Sequence, residues 1–242
     1  MRILYQLTSP MEKTALGAPE VARRREFLRS RAAGADVEVR SLSGGPATIE
    51  SEWEAALVVP ELCDAVRRAQ QDGFHAVIIG CFSDPGLAAL RELVTIPVIG
   101  PGSAAIHVAA QLGTRIGVIS PLEGGSGRVA ARFRALGCGD LFGSVRSIGM
   151  SVLDVARQRE AVLDRLEQVG RAAIQEDRVD ALVLGCMSMG FLGITDEMTK
   201  RLEIPVVNPV TAALKTAEMV VSMGLTHSKA AYPVPPKMEV SS

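Results

Sequence analysis

Two cysteines stand in matching contexts. Cys81 closes the run AVIIGC at 76–81, and Cys186 closes ALVLGC at 181–186. Each follows a glycine at the end of an aliphatic run. Each is followed by a turn, a helical stretch, an Ile-Pro-Val run and a helix of small residues. The first copy spans 73–113 and the second 179–224, so the chain carries an internal repeat. Two thiols presented by two similar units suit inversion at a carbon acid. One thiolate takes a proton from one face, and the opposite thiol returns one to the other. Such acid–base help is worth roughly 10²–10⁴-fold per group. It needs no metal or pyridoxal cofactor if a neighbouring carbonyl spreads the carbanion charge. Peptide dipoles at the Asp84-Pro85 helix start favour a thiolate and can lower a cysteine pKa from ~8.5. Backbone N–H groups at the two helix starts would hold the enolate oxygen. The competing interpretation is two small core residues copied by duplication, since buried cysteines commonly pack as hydrophobes. Flanking glycines and polar turns favour exposed strand ends.

The elements that must position these thiols alternate along the chain. Strands are expected at 2–7, 37–42, 76–81, 97–100, 115–120, 141–148, 181–186 and 205–208. Helices are expected at 19–33, 50–72, 85–93, 103–112, 128–136, 151–177, 196–202 and 210–223. Asp84 is expected to cap the 85–93 helix with Pro85 at its first position, and Ser151 to cap the 151–177 helix. This alternation means an α/β fold with mostly parallel sheets flanked by helices. Ligands bind open α/β sheets at the C-terminal ends of the strands, where both cysteines fall. The repeat divides the chain into two lobes. The first takes 1–100 and 207–224, the second 101–206. The Pro-containing tail, 225–242, is expected to be an extended surface segment or partly disordered.

Composition excludes several classes. The 242 residues carry 26 Lys+Arg against 27 Asp+Glu, a net charge of −1. Nucleic acid and anionic membranes are poor partners for such a surface. The core must be aliphatic, because only 4% of residues are aromatic. No stretch approaches the ~20 apolar residues of a spanning helix, and 1–13 lacks a secretory pattern. A cytoplasmic protein with reduced thiols is expected. The four cysteines show no zinc-ligand spacing, so no metal site is expected. Cys63 sits in a helix and reads as packing; Cys138, between two glycines, reads as structural.

The run Gly80-Cys81-Phe82-Ser83-Asp84-Pro85-Gly86-Leu87, with Leu184-Gly185-Cys186, resembles the aspartate/glutamate/hydantoin racemase superfamily. The match is closest to the hydantoin and allantoin racemase branch and extends from residue 1 to about 224. The resemblance implies two pseudosymmetric Rossmann-like lobes with the active site in the cleft between them. It also implies a cofactor-independent racemase or epimerase with Cys81 and Cys186 as catalytic cysteines. The substrate would be a 5-substituted hydantoin, allantoin or a related amino-acid derivative. A homo-oligomer, dimer or larger, is expected.

Residues expected to hold the substrate are Gln6, Thr8 and Ser9 after the first strand, Phe82, Ser83 and Asp84 after Cys81, Ser103, Ser120, Met187, Ser188 and Asn208. Several depart from the branch's usual pattern. Tyr5-Gln6-Leu7-Thr8-Ser9-Pro10 replaces an Asn-Pro-Asn loop. Ser103 replaces an acidic residue, Ser120-Pro121 a Thr-Thr pair, and Asn208 a frequent Asp. These point to a divergent subgroup with altered substrate selectivity. Decarboxylation or cis–trans isomerisation on the same scaffold is the nearest competing chemistry, and a non-catalytic small-ligand module the next.

Other features read more plainly. His107, among Ala and Val, is expected to be a packing histidine, with an acid–base role as the alternative. His75 and His227 look like loop residues. Gly124-Gly125-Ser126-Gly127 lacks the phosphate-loop and dinucleotide spacings and reads as a turn before a helix. Arg23-Arg24-Arg25 is expected to be a solvated or subunit-contact face.

Overall fold

A computed structural model describes residues 1–236; the end of the tail lies outside them. The chain forms two compact units. Unit 1 comprises Met1–Gly100 and the described residues from Ala213 onward, and unit 2 comprises Pro101–Ala212. The return to unit 1 falls inside the last helix.

Unit 1 runs β1 (Arg2–Gln6), α1 (Gly17–Arg31), β2 (Asp36–Arg40), α2 (Glu52–Leu57), α3 (Val59–Gln71), β3 (Ala76–Ile79), α4 (Leu87–Leu93) and β4 (Val98–Ile99). Its four strands are parallel in the order β2-β1-β3-β4. Unit 2 runs α5 (Pro101–Ala109), β5 (Ile116–Ser120), α6 (Ser126–Ala135), β6 (Phe142–Ser147), α7 (Val152–Arg157), α8 (Arg159–Asp177), β7 (Ala181–Leu184), α9 (Met187–Phe191), α10 (Thr195–Leu202) and β8 (Val206–Val207). Its strands are parallel in the order β6-β5-β7-β8. Helix α11 (Pro209–Ser222) follows. The two sheets share one winding, so the sequence repeat is a repeat of topology.

The fully buried strands are aliphatic on both faces, as parallel strands covered by helices must be. In unit 1, Leu4, Val77, Ile79 and Val98 pack with Leu62, Val66 and Leu90 from the helices. In unit 2, Ile119, Leu182 and Leu184 pack with Val162, Leu163 and Leu166 of α8. Both cores bury aliphatic side chains at about 25 cal/mol per Å² of apolar surface.

Three expectations about helices are corrected. The stretch 50–72 is two helices, because Pro60 enters the first turn of α3 and cannot donate the hydrogen bond that would join it to α2. The stretch 151–177 breaks at Gln158, whose φ of −120° and ψ of 62° are not helical. Ser151 does cap α7, accepting from the Asp154 N–H at 3.1 Å. Third, α4 begins at Leu87 rather than Pro85. Asp84 takes a left-handed φ of 52° and Gly86 one of 66°, so the turn is spent before the helix starts.

The arginine run is corrected as well. Arg24 is buried and its Nε donates to Glu20 Oε1 at 2.8 Å, one turn earlier on the inward face. Arg23 grips the same carboxylate through two nitrogens, each at 2.7 Å. Burial alone would raise the Glu20 pKa; the two guanidiniums outweigh it and hold the carboxyl below its ordinary range.

The first part of the tail is tied down on unit 1. Lys229 Nζ donates to the carbonyls of Arg91, Glu92 and Val94, satisfying the exposed end of α4. Arg91 donates to Tyr232 Oη at 3.0 Å. His227 Nε2 accepts from the Val98 N–H at 2.8 Å, on β4. Burial first, then the Arg91 and Lys229 cations, push the His227 pKa down to about 4. Its neutral ring therefore contributes stability that is complete above pH ~6.5, the unfolded value, and is lost as pH falls toward 4. The wild-type melting temperature should fall more steeply between pH 6.5 and 4 than that of His227→Asn. Parallel slopes would show that the ring does not titrate in this way.

Candidate active site

Each cysteine is placed by one local rule. The glycine before it donates its N–H to the neighbouring strand, extending the ladder one residue beyond the strand. Gly80 donates to Gln6 O at 2.7 Å, and Gly185 to Ile119 O at 2.8 Å. A Cβ at Gly80 would lie 2.8 Å from Gln6 O and 3.0 Å from the Tyr5 ring. A Cβ at Gly185 would lie 2.9 Å from Val118 Cγ1 and 3.0 Å from Ile119 O. Only glycine lets the backbone pass so close. The repeated Gly-Cys is thus a packing requirement that delivers a thiol to the C-terminal end of a central strand.

Around Cys81 the chain turns sharply. The Cys81 N–H donates to Ile79 O at 2.8 Å, and Asp84 N–H donates to Cys81 O at 3.1 Å. The thiol is half-buried, and Cys81 Sγ lies 3.1 Å from Ser83 Oγ. Phe82 is buried. Gly100, after β4, has no room for a Cβ because the Asp84 carboxylate would be 2.6 Å away. Ser83, Asp84 and the end of β4 are therefore brought to Cys81's end of the sheet.

Cys186 is buried, with 8% of its surface exposed, and occupies the position before α9 in an extended conformation. The stretch 187–190, expected to be a turn, is part of this one-turn helix. Gly190 N–H donates back to Cys186 O at 3.2 Å. Met187 and Ser188 are buried beside it in sequence. Asn208 Nδ2 donates to Gly190 O at 2.9 Å, which ties the start of α11 to the end of α9.

The other expected substrate residues divide by use. Gln6 is buried, and its Nε2 donates to Leu7 O at 3.0 Å and Arg40 O at 3.2 Å, joining the ends of β1 and β2. Thr8 and Ser9 are buried in the loop after β1, where Ser9 O accepts from Leu42 N–H. Ser103 lies in the first turn of α5. Ser120 ends β5, and its carbonyl accepts from Ile148 N–H at 3.0 Å. Gln6, Thr8 and Ser9 stand at the same sheet end as Cys81; Ser120 stands at the same sheet end as Cys186.

His107 corrects its expectation: it is exposed on α5 rather than packed. His75 Nδ1 accepts from the Arg2 N–H at 3.1 Å. Burial raises the Cys63 thiol pKa, aided by Asp64, which suits a packing role. Cys138 points its sulfur toward Leu136 O at 3.7 Å. The glycine-rich turn borders a surface cavity of about 680 Å³ in unit 2, shared with Arg146, Arg165 and Gln168. Cys186 does not line it. Among the described residues, no group of three His, Cys, Asp or Glu could hold a metal ion, and no helix is long and apolar enough to cross a membrane.

Known proteins share this design. The family model for Asp/Glu/hydantoin racemases matches residues 23–217. A hydantoin racemase from Pseudomonas sp. (strain NS671) is 32% identical over 217 residues, spanning 88% of this chain and 86% of that protein. An allantoin racemase structure from Klebsiella pneumoniae matches with a TM-score of 0.87 at 26% identity, covering 97% of this chain and 94% of that one. That of allantoin racemase from Pseudomonas fluorescens also gives 0.87, at 28% identity, covering 98% and 97%. The repeated fold, the paired Gly-Cys strand ends and these similarities lead to one conclusion: the chain belongs to the Asp/Glu/hydantoin racemase family.

Proposed function

We propose that the chain is a cofactor-independent racemase of a small carbon acid, acting on a 5-substituted hydantoin, allantoin or a related amino-acid derivative. The observation that carries this is the pair of cysteines, each set by a sterically required glycine at the end of the third strand of its unit's winding. One cysteine, as thiolate, takes the proton α to a carbonyl. The other, as thiol, delivers a proton to the opposite face of the same carbon. The first is left as thiol and the second as thiolate, so roles exchange for the other enantiomer. The carbanion charge moves onto the ring carbonyl oxygen, where backbone N–H groups after each cysteine would meet it.

The similarity to proteins named hydantoin racemase and allantoin racemase supports this substrate class. Hydroxyl groups at or just beyond the strand ends, Thr8, Ser9, Ser83, Ser103 and Ser120, suit a small polar ring. A circular-dichroism screen with enantiopure hydantoins, allantoin, aspartate and glutamate tests the substrate class. Decay of the signal to zero is expected for a hydantoin or allantoin. Decay only with aspartate or glutamate would move the assignment to free amino acids.

A further inference from the structure

The side chain of Asn208 has every hydrogen-bonding position occupied within unit 2. Its Oδ1 accepts from Val210 N–H at 2.9 Å and Thr211 N–H at 3.4 Å, which caps α11. Pro209, the first residue of that helix, has no N–H to satisfy. Asn208 Nδ2 donates to Gly190 O at 2.9 Å and Thr195 Oγ1 at 3.1 Å. An amide offers two donors and an oxygen with two lone pairs, so nothing remains for a ligand.

The partners explain what this accomplishes. Gly190 is in α9, the five-residue helix whose N-cap is Cys186. A helix of one turn does not hold itself, because nucleation costs more than one hydrogen bond returns. Its direction, and with it the direction of Cys186, depends on ties to the rest of the unit. Asn208 is such a tie, and it is close. A Cβ on Gly190 would lie 2.6 Å from Asn208 Oδ1 and 2.8 Å from Val210 Cγ2. Thr195 begins α10, so the same amide also fixes the loop that leaves α9.

We propose that Asn208 is a positioning residue for Cys186, acting through α9 rather than on the substrate. This rests on Cys186 being one of the two proton-transfer groups. An ionised aspartate at this place keeps the α11 cap but cannot donate to Gly190 or Thr195. The frequent Asp of the branch keeps only the cap; in this chain the tie to α9 belongs to the Nδ2 donors, and Asn208→Asp isolates it.

The test uses substrates deuterated at the α carbon, measured as both enantiomers with the full-length enzyme. The enantiomer that Cys186 deprotonates is identified as the one that recovers no solvent deuterium after long incubation with Cys186→Ser, while the other, still deprotonated by Cys81, slowly washes out without converting. In Asn208→Asp the melting temperature should fall by several degrees at most, because the α11 cap is kept while two hydrogen bonds are lost. Its kcat/KM should fall by about 10²-fold, the size expected for a reacting group displaced by about 1 Å. The deuterium isotope effect on kcat/KM should rise for the enantiomer deprotonated by Cys186, whose first step has slowed. It should fall for the other, whose slowed step is reprotonation. Thr195→Val removes one of the two acceptors of Nδ2 and should show the same split at smaller size, which keeps the test valid if Asn208→Asp is unstable. Unchanged isotope effects in both variants overturn the proposal, because a purely structural defect lowers the amount of active enzyme without moving them. Absence of racemisation by the wild type would instead overturn the proposed function, so the two failures are separable.

Discussion

Replacing either Cys81 or Cys186 with alanine should lower kcat/KM for racemisation by at least about 10³-fold, near the upper range for loss of one general acid or base. The double variant should be no worse than the worse single one. Racemisation is a two-step relay, so losing either member stops the same turnover, and the losses do not add. Serine should rescue little. A hydroxyl has nearly the shape of a thiol but is a far weaker acid, so it does not form the base the reaction needs near pH 7. Folding should be largely spared. Cys81 is half-buried at a turn, and alanine at buried Cys186 removes only one sulfur atom. Steady-state rates on the substrate found by circular dichroism, with melting curves beside them, check this. Full activity in either alanine variant would remove that cysteine from the mechanism.

The second large effect falls on the glycines before the thiols. Gly80→Ala and Gly185→Ala should each destabilise by about 1–3 kcal/mol, the range for forcing an extra methyl into a packed site. Each should also reduce kcat/KM by about 10²-fold, through a displaced thiol. The new methyl at Gly80 meets backbone oxygen and the Tyr5 ring; at Gly185 it meets Val118 and the Ile119 oxygen. Backbone cannot swing aside as a long side chain would. Gly127→Ala is the control. It lies in α6 with nothing within 4 Å of a new Cβ, so it should stabilise by about 0.5–1 kcal/mol through helix propensity and leave activity unchanged. Equal behaviour of all three variants in thermal melts and rate assays would refute the close-approach explanation of the Gly-Cys pairs.

Much of this was legible in the sequence for a physical reason. Parallel strands buried on both faces write themselves as aliphatic runs, so β1, β3, β5 and β7 were readable. The Gly-Cys repeat was readable because the same steric demand recurs in both units. What was missed depends on partners distant in the chain or on left-handed backbone. Asp84 looked like a helix cap because Asp-Pro is a common start; its φ of 52° shifts α4 to Leu87. Helix α9 was hidden because five residues of Met, Ser, Gly and Phe have no helical period. Asn208 stood out only as an unusual residue at its place. Its four hydrogen bonds to α9, α10 and α11 join residues up to 18 positions away and leave no local pattern. Arg24 looked solvated because three consecutive arginines do, although Glu20, one turn before it, was a visible clue. The tail's Lys229 and His227 contacts cross more than a hundred residues of chain and left no local trace.

The most direct test of the two-cysteine relay follows the α-hydrogen itself. Each enantiomer is incubated with the enzyme in deuterated water and sampled early by mass spectrometry after chiral separation. The relay predicts that, in both directions, the newly formed enantiomer carries one solvent deuterium while remaining substrate carries none. It further predicts that Cys81→Ser and Cys186→Ser each abolish that conversion. Deuterium appearing at wild-type rate in the product formed by either serine variant would contradict it.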